Sequence, residues 1–233
     1  MQPHKVVSQD EWLAARKAHL AKEKEFTRAR DALSALRRAL PWERVTKDYA
    51  FEGPAGRETL AQLFGAKSQL VAYHFMFDPS WEAGCKSCSF WADNFDGIDV
   101  HLAHRDVSFL AISRAPYAKL AAYRKRMGWR FKWVSCFGSD FNYDYGVSFT
   151  PEQVAAGAMV NNYGSSKAFG PETVGISVFA KDAGGAVFHS YSCYSRGVDM
   201  LNGAYHYLDL TPRGRDEGAT SQAWVRRHDE YPD

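Results

Sequence analysis

The chain predicts an α/β protein with a mixed central sheet flanked by helices. Three observations carry that reading. Residues 68–77 (SQLVAYHFMF) and 106–114 (DVSFLAISR) are near-continuous apolar runs, the pattern of strands buried on both faces. Segments of helical period follow them, at 85–103 and 117–127. Ala183-Gly184-Gly185 then joins two further strand-like runs as a hairpin.

The composition agrees with a soluble, globular class: 45% of the 233 residues are hydrophobic and 24% charged. A net charge of +2 provides no large field for nucleic acid or an anionic membrane. An aromatic share of 15% points to a core built of large rings. MQPHKVVSQD lacks the apolar stretch of a secretory signal, and no run approaches the roughly 20 apolar residues of a membrane span. Four cysteines are too few for a disulfide scaffold. The expected compartment is a reducing cytoplasm, where a close cysteine pair reads as catalytic or metal-binding.

The elements follow in order. Ser8-Gln9-Asp10-Glu11 is a capping box, and the helix it opens runs to about Leu40, where Pro41 stops it. Leu13, Leu20, Phe26, Leu33 and Leu36 form its sparse apolar seam, suited to lying on a domain or pairing with a second copy. Gly53-Pro54-Ala55-Gly56 marks a turn between short extended pieces, and residues 59–64 form a short helix closed by Gly65. The strand at 68–77 is broken by Asp78-Pro79-Ser80. One helix is expected over 85–103, because Cys88, Trp91, Phe95, Ile98 and Leu102 recur at three and four. Pro116 opens the next helix and Gly128 ends it. Residues 131–137 (FKWVSCF) read as a third strand. Residues 138–171, polar and bearing Gly and Asn, read as an insertion. Residues 175–182 and 186–194 form the terminal hairpin, and 196–208 a closing helix. The resulting division is 1–42 as a helical extension, 43–210 as the main domain, and 211–233 as a tail expected to fray.

Strands alternating with helices give parallel pairs through right-handed crossovers, and the hairpin adds antiparallel strands. A C-x-x-C pair, Cys85 and Cys88, stands at the junction of the first central strand and its helix. This is the arrangement of a thioredoxin-like fold. Cys85 would sit at the first turn of the helix, where unpaired amides favour a thiolate. It could attack a substrate disulfide, and Cys88, one turn on along the same face, could resolve the product. Trp81 and Trp91 could shield the pair or dock the substrate, and Lys86 adds positive charge. Asp93 is a candidate proton acceptor for Cys88, or a residue facing water. The bland reading is that both cysteines are small core hydrophobes.

A metal site is the alternative. Structural zinc wants four ligands, and no second C-x-x-C exists. His101 and His104 share a helix face about four turns from Cys85. His189 is the best further ligand, and two thiolates with an imidazole would suit a soft ion such as copper. Otherwise His189 is a strand histidine bonded to backbone. Cys136 and Cys193, each within a strand, read as buried and inert. The tract GSDFNYDYG reads as a structured loop whose polar groups cap its neighbours.

The stretches ALPWERV, YAFEGPAG, YHFMFDPSWEAGCKSCSFWADNFDG, GSDFNYDYGVSF and YHYLDLTPRGR resemble the bacterial DUF899 family. The resemblance covers nearly the whole chain. It implies a thioredoxin-like fold and an activity labelled dithiol–disulfide oxidoreductase. It also implies that the N-terminal helix belongs to the family unit. Two departures are visible. The proline that precedes the facing strand in thioredoxins is replaced by Val174, with Pro171 the nearest proline, so Val174 is expected at the docking groove. ETLAQLFGAKSQLVAYHF is similar to peroxiredoxins, which need P-x-x-x-T-x-x-C. Here Glu82 replaces the threonine and Pro79 is one residue too close, which argues against peroxidase activity of the usual kind.

Three functions are therefore carried forward. The first is a cytoplasmic thiol–disulfide oxidoreductase, with Cys85 as nucleophile, Cys88 as resolving thiol and no cofactor, acting on a protein or small-molecule disulfide. The second is a metal-binding protein using Cys85, Cys88 and His189. The third is an interaction module without turnover. None calls for nucleic acid or membrane, and the first helix allows a homodimer.

Overall fold

A computed structural model describes residues 4–232. The chain divides into two units, Met1–Pro41 and Trp42–Asp233. The first unit is built on one helix, α1 (Gln9–Arg38), and the expected capping box opens it. The Ser8 hydroxyl accepts from the Glu11 amide at 3.3 Å, and the Ser8 amide donates to the Glu11 carboxylate at 3.1 Å. The helix is rich in charged residues that pair along its length, as in Arg16–Glu23 and Lys22–Glu25, and none of its residues is buried.

The second unit begins with β1 (Glu43–Arg44), β2 (Ala50–Gly53) and β3 (Gly56–Thr59), then α2 (Leu60–Leu63), which opens on a second capping box at Thr59 and Gln62. There follow β4 (Gln69–His74), α3 (Lys86–Ala92), α4 (Ile98–Ala103), β5 (Val107–Ser113), α5 (Tyr117–Arg126) and β6 (Lys132–Ser135). The stretch 138–171 holds α6 (Phe141–Asp144), α7 (Pro151–Ala155) and a small hairpin of β7 (Val160–Asn161) with β8 (Ser166–Lys167). β9 (Gly175–Lys181) and β10 (Val187–Tyr194) form the expected hairpin. A 3-10 segment, Ser195–Leu201, leads into α8 (Gly203–Leu208).

Eight strands make one sheet in the order β1-β10-β9-β4-β5-β6-β2-β3. β4, β5 and β6 run parallel, while β9 is antiparallel to β4 and to β10. This mixed sheet, with a helix leaving the end of its central strand, is a thioredoxin-like fold. Alternation along β4 divides the core. Leu70, Ala72 and His74 face the layer that holds α2 and Phe141. Tyr73 faces the other layer, with α3, α5 and α8. That second layer is the aromatic core the composition implied, and Phe75 and Trp133 lie 4.5 Å apart at its centre.

Three expectations need correction. The helix expected over 85–103 is two helices, because the chain turns through Asp93–Gly97 and Gly97 adopts a left-handed φ of 92°. The closing helix starts as a 3-10 segment, since Asn202 restarts the helix by accepting from the Tyr205 amide. The short extended pieces before α2 pair into the main sheet as β2 and β3, with β3 at its edge. The tail is not frayed. It belongs to the second unit, and Val225 in it is fully buried. Among the described residues no helix is long and apolar enough to cross a membrane.

A candidate dithiol site beyond the central strand

Past β4 the chain stays alongside β5 for three residues. Phe75 donates to the Ile112 carbonyl, and Phe77 accepts from the Ala115 amide. It then loops through Asp78–Ser80 and returns. The Cys85 amide donates to the Met76 carbonyl at 3.1 Å, pinning the start of α3 to the strand extension. Gly84 is required there. A Cβ on it would lie 2.8 Å from both the Phe75 and Tyr123 rings. Cys85 is the cap residue of α3 and is partly exposed, while Cys88, one turn on, is buried.

The two thiols are not equivalent. The Cys85 thiol is pulled down to about 6, chiefly by a hydrogen bond from the Cys88 side chain. The amides of Cys88 and Ser87 and the Ser87 hydroxyl add to this, working against burial. Burial pushes the Cys88 thiol well above the ordinary range, so it stays protonated and serves as the donor. The Met76 amide also donates to Cys88 Sγ, at 3.4 Å. The site is thus one thiolate and one thiol, the buried Cys88 keeping its proton and lending it to Cys85 as a hydrogen bond.

A cleft of about 380 Å³ opens over Cys88 and Ser87. Tyr73, Met76, Trp91 and Val174 give it apolar lining, and Arg196 and Ser221 also border it. Val174, just before β9, lines this cleft, as does Trp91, whose indole donates to the Val198 carbonyl at 2.9 Å. Trp81 packs on the same core but does not line this cleft. Lys86 extends to the Ala223 carbonyl at 3.5 Å.

His189 does not join the cysteines. It pairs in register with Phe179, which is level with Leu70 at the far end of β4. Its ring stacks edge-on to Tyr145 and lies near Phe179, on the opposite face from α3. Its Nε2 is bonded to the Ser192 hydroxyl at 2.7 Å. Among the described residues no three His, Cys, Asp or Glu side chains could together hold a metal. The Cys85, Cys88 and His189 triad is therefore not assembled. Asp93 does not face Cys88 either. Its carboxylate accepts from the Trp129 indole at 2.8 Å and bonds His228 at 2.7 Å. Cys136 is buried, and its thiol is pushed up to about 12. Cys193 is only partly buried and lies near the Gly197 carbonyl. The GSDFNYDYG tract is structural, since Asn142 holds His74, Tyr143 bonds Arg114, and Asp144 takes Lys47 and Tyr49.

Two participants escaped the sequence reading. One is Tyr73, whose place two strand residues before Phe75 puts it on the cysteine face. Strand alternation was the available signal. The other is Arg227, which donates to the Gly84 carbonyl and to the Tyr123 hydroxyl. Nothing local in the sequence marks a charged tail residue as a partner for a backbone 143 positions away.

The family model described as "Bacterial protein of unknown function (DUF899)" matches residues 1–231. No curated protein is similar enough to match. Among solved structures, peroxidoxin BcpB from Mycobacterium tuberculosis is 16% identical, with 70% of this chain and 93% of that one covered and a TM-score of 0.41. Peroxiredoxin Q from Xanthomonas campestris is 13% identical, with 72% and 96% covered and a TM-score of 0.44. A Chlorobium tepidum protein provisionally called thiol:disulfide interchange protein DsbE is 15% identical, with 72% and 94% covered and a TM-score of 0.41. Likenesses this loose carry no chemistry.

Proposed function

The chain belongs to the DUF899 family, and from that premise and the site itself we propose that it is a thiol–disulfide oxidoreductase. One observation carries the reading. A partly exposed thiolate at Cys85 is stabilised by a buried, protonated Cys88 one helical turn away. A pair serving only as core packing has no need of such an asymmetry, and an inert thiol sits at a raised pKa, as Cys136 does.

Cys85 attacks one sulfur of a substrate disulfide. The new bond joins Cys85 to that sulfur, the substrate S–S bond breaks, and the other half leaves as a thiolate that takes a proton from water. Cys88 then attacks the Cys85 sulfur. The mixed disulfide breaks, its proton goes to the departing thiolate, and the protein holds a Cys85–Cys88 disulfide. The substrate is oxidising, and the pair has given up two electrons. The reverse sequence oxidises a substrate dithiol. The apolar lining of Met76, Trp91 and Val174 suits a disulfide in an apolar surround, whether on a protein or a small molecule. The site lies in a chain with a reducing-compartment cysteine count, so a cytoplasmic setting belongs to the same proposal.

The test is the reduction potential of the pair in defined glutathione buffers, with the disulfide mapped by mass spectrometry. A two-electron couple within roughly −120 to −270 mV is expected, the span of exchange proteins. If no Cys85–Cys88 disulfide forms at any poise, the proposal is wrong.

A further inference from the structure

Tyr73 carries a polar atom that the fold does not use. Its hydroxyl is fully buried, and among the described residues it has no conventional hydrogen-bond partner. Burying an unsatisfied phenol is costly, and such groups in folded proteins call for an explanation. Phenylalanine would fill the same space without the cost. The ring is held firmly, 4.8 Å from Phe95 and 6.3 Å from Phe75. Its polar neighbours are the cysteines. Tyr73 lines the same cleft as Cys88, its hydroxyl interacts with the Cys88 thiol, and the Cys85 sulfur is within electrostatic reach.

We propose that Tyr73 is a catalytic hydrogen-bond donor to Cys88 Sγ, acting in the resolving step. This rests on the oxidoreductase reading above. In the resting dithiol the Cys88 proton is given to Cys85, and the phenol faces a neutral sulfur, a weak acceptor. When Cys85 is tied up in a mixed disulfide, that demand on the Cys88 proton ends. Cys88 must then develop negative charge in an apolar pocket with few donors. The Met76 amide supplies one hydrogen bond, and Tyr73 O–H supplies a second. A charge-assisted bond of this kind is stronger than the neutral contact it replaces. The phenol keeps its proton throughout. The Cys88 proton leaves with the departing thiolate, the Cys88–Cys85 bond forms, and the Cys85–substrate bond breaks. In the reverse direction the same donor stabilises Cys88 as the leaving sulfur.

The experiment follows both steps on the full chain with dithionitrobenzoate, quenched in acid and mapped by mass spectrometry to separate Cys85 from Cys193. Wild type should form the mixed disulfide at Cys85 and then the Cys85–Cys88 disulfide. Tyr73→Phe should leave the first step within about twofold, slow the second at least tenfold, and move the pH midpoint of the second step upward. Its denaturation midpoint should not fall, since an unpaired hydroxyl has been removed. If the second step and its pH profile match wild type, Tyr73 has no such role, while the oxidoreductase reading stands. If both steps slow alike and the denaturation midpoint drops, the tyrosine is only structural. If wild type itself forms no Cys85–Cys88 disulfide, the underlying reading fails, not this one alone.

Discussion

Arg227, near the end of the chain, donates to the carbonyl of Gly84, the residue before Cys85, at 2.8 Å from Nη2 and 3.2 Å from Nε. The same Nε reaches the Tyr123 hydroxyl at 2.8 Å, and Tyr123 in turn bonds Ser89, whose hydroxyl donates to the Cys85 carbonyl. The C-terminal segment thereby braces the backbone on both sides of Cys85. Arg126 adds a further anchor through Asp229 and Glu230.

Arg227→Ala should loosen this brace. Three charged hydrogen bonds to two part-buried acceptors are lost, and a bond of this kind contributes roughly 1.5–3 kcal/mol. Hydrogen exchange should speed up over residues 221–231 and at the start of α3, while the protection of β4 and β5 stays as it was. Unchanged exchange at the start of α3 would show that the tail does not brace the site.

Gly84→Ala places a methyl 2.8 Å from two aromatic rings that are themselves packed in the core. Neither ring has room to retreat, so the backbone ahead of Cys85 must shift. A loss of roughly 1–3 kcal/mol is expected from urea unfolding, as for other overpacked sites. The Cys85 thiol should also titrate higher, because its donors come from the displaced turn. An alanine variant of wild-type stability and thiol titration would contradict the close packing.

The Cys85 thiol sets a pH dependence. Below about pH 6 it is protonated in both folded and unfolded chains and adds nothing. An unfolded thiol ionises near ~8.5. Between these values only the folded state holds the thiolate, so stability grows as pH rises and is lost as pH falls back through 6. Above ~8.5 the raised Cys88 thiol works against the fold. Under reducing conditions, wild type should gain stability over Cys85→Ser between pH 6 and 8. Alkylation of Cys85 should show a midpoint near pH 6, and Cys88→Ala should move it upward by removing the main donor. Equal midpoints in the two proteins would refute the Cys88 hydrogen bond.

His74 acts in the acid range. It is buried between Asn142 and Ser177, and burial lowers its pKa to about 4. An unfolded histidine binds its proton near ~6.5, so stability is full above that value and is lost as pH falls toward 4. The shift corresponds to about 3 kcal/mol at its limit. Stability measured from pH 7 to 4 should fall more steeply in wild type than in His74→Asn, although the variant is weaker overall. Parallel slopes would mean that His74 is not the group being charged.

The sequence by itself determined the secondary structure that builds the site. Apolar runs gave β4 and β5, the capping box gave the start of α1, Gly184-Gly185 gave the last hairpin, and C-x-x-C after Gly84 gave the candidate pair. These signals are local, each written within about ten residues. The tertiary structure decided what depends on separation across the fold. Register put His189 level with Leu70 and away from the cysteines, on the other face of the sheet. Packing placed Arg227 against Gly84 and made the tail part of the domain. Depth separated the two thiols, because a buried sulfur holds its proton and a shallower one beside it can give its proton up. Burial and long-range register are properties of the assembled chain, and no run of neighbouring residues encodes them.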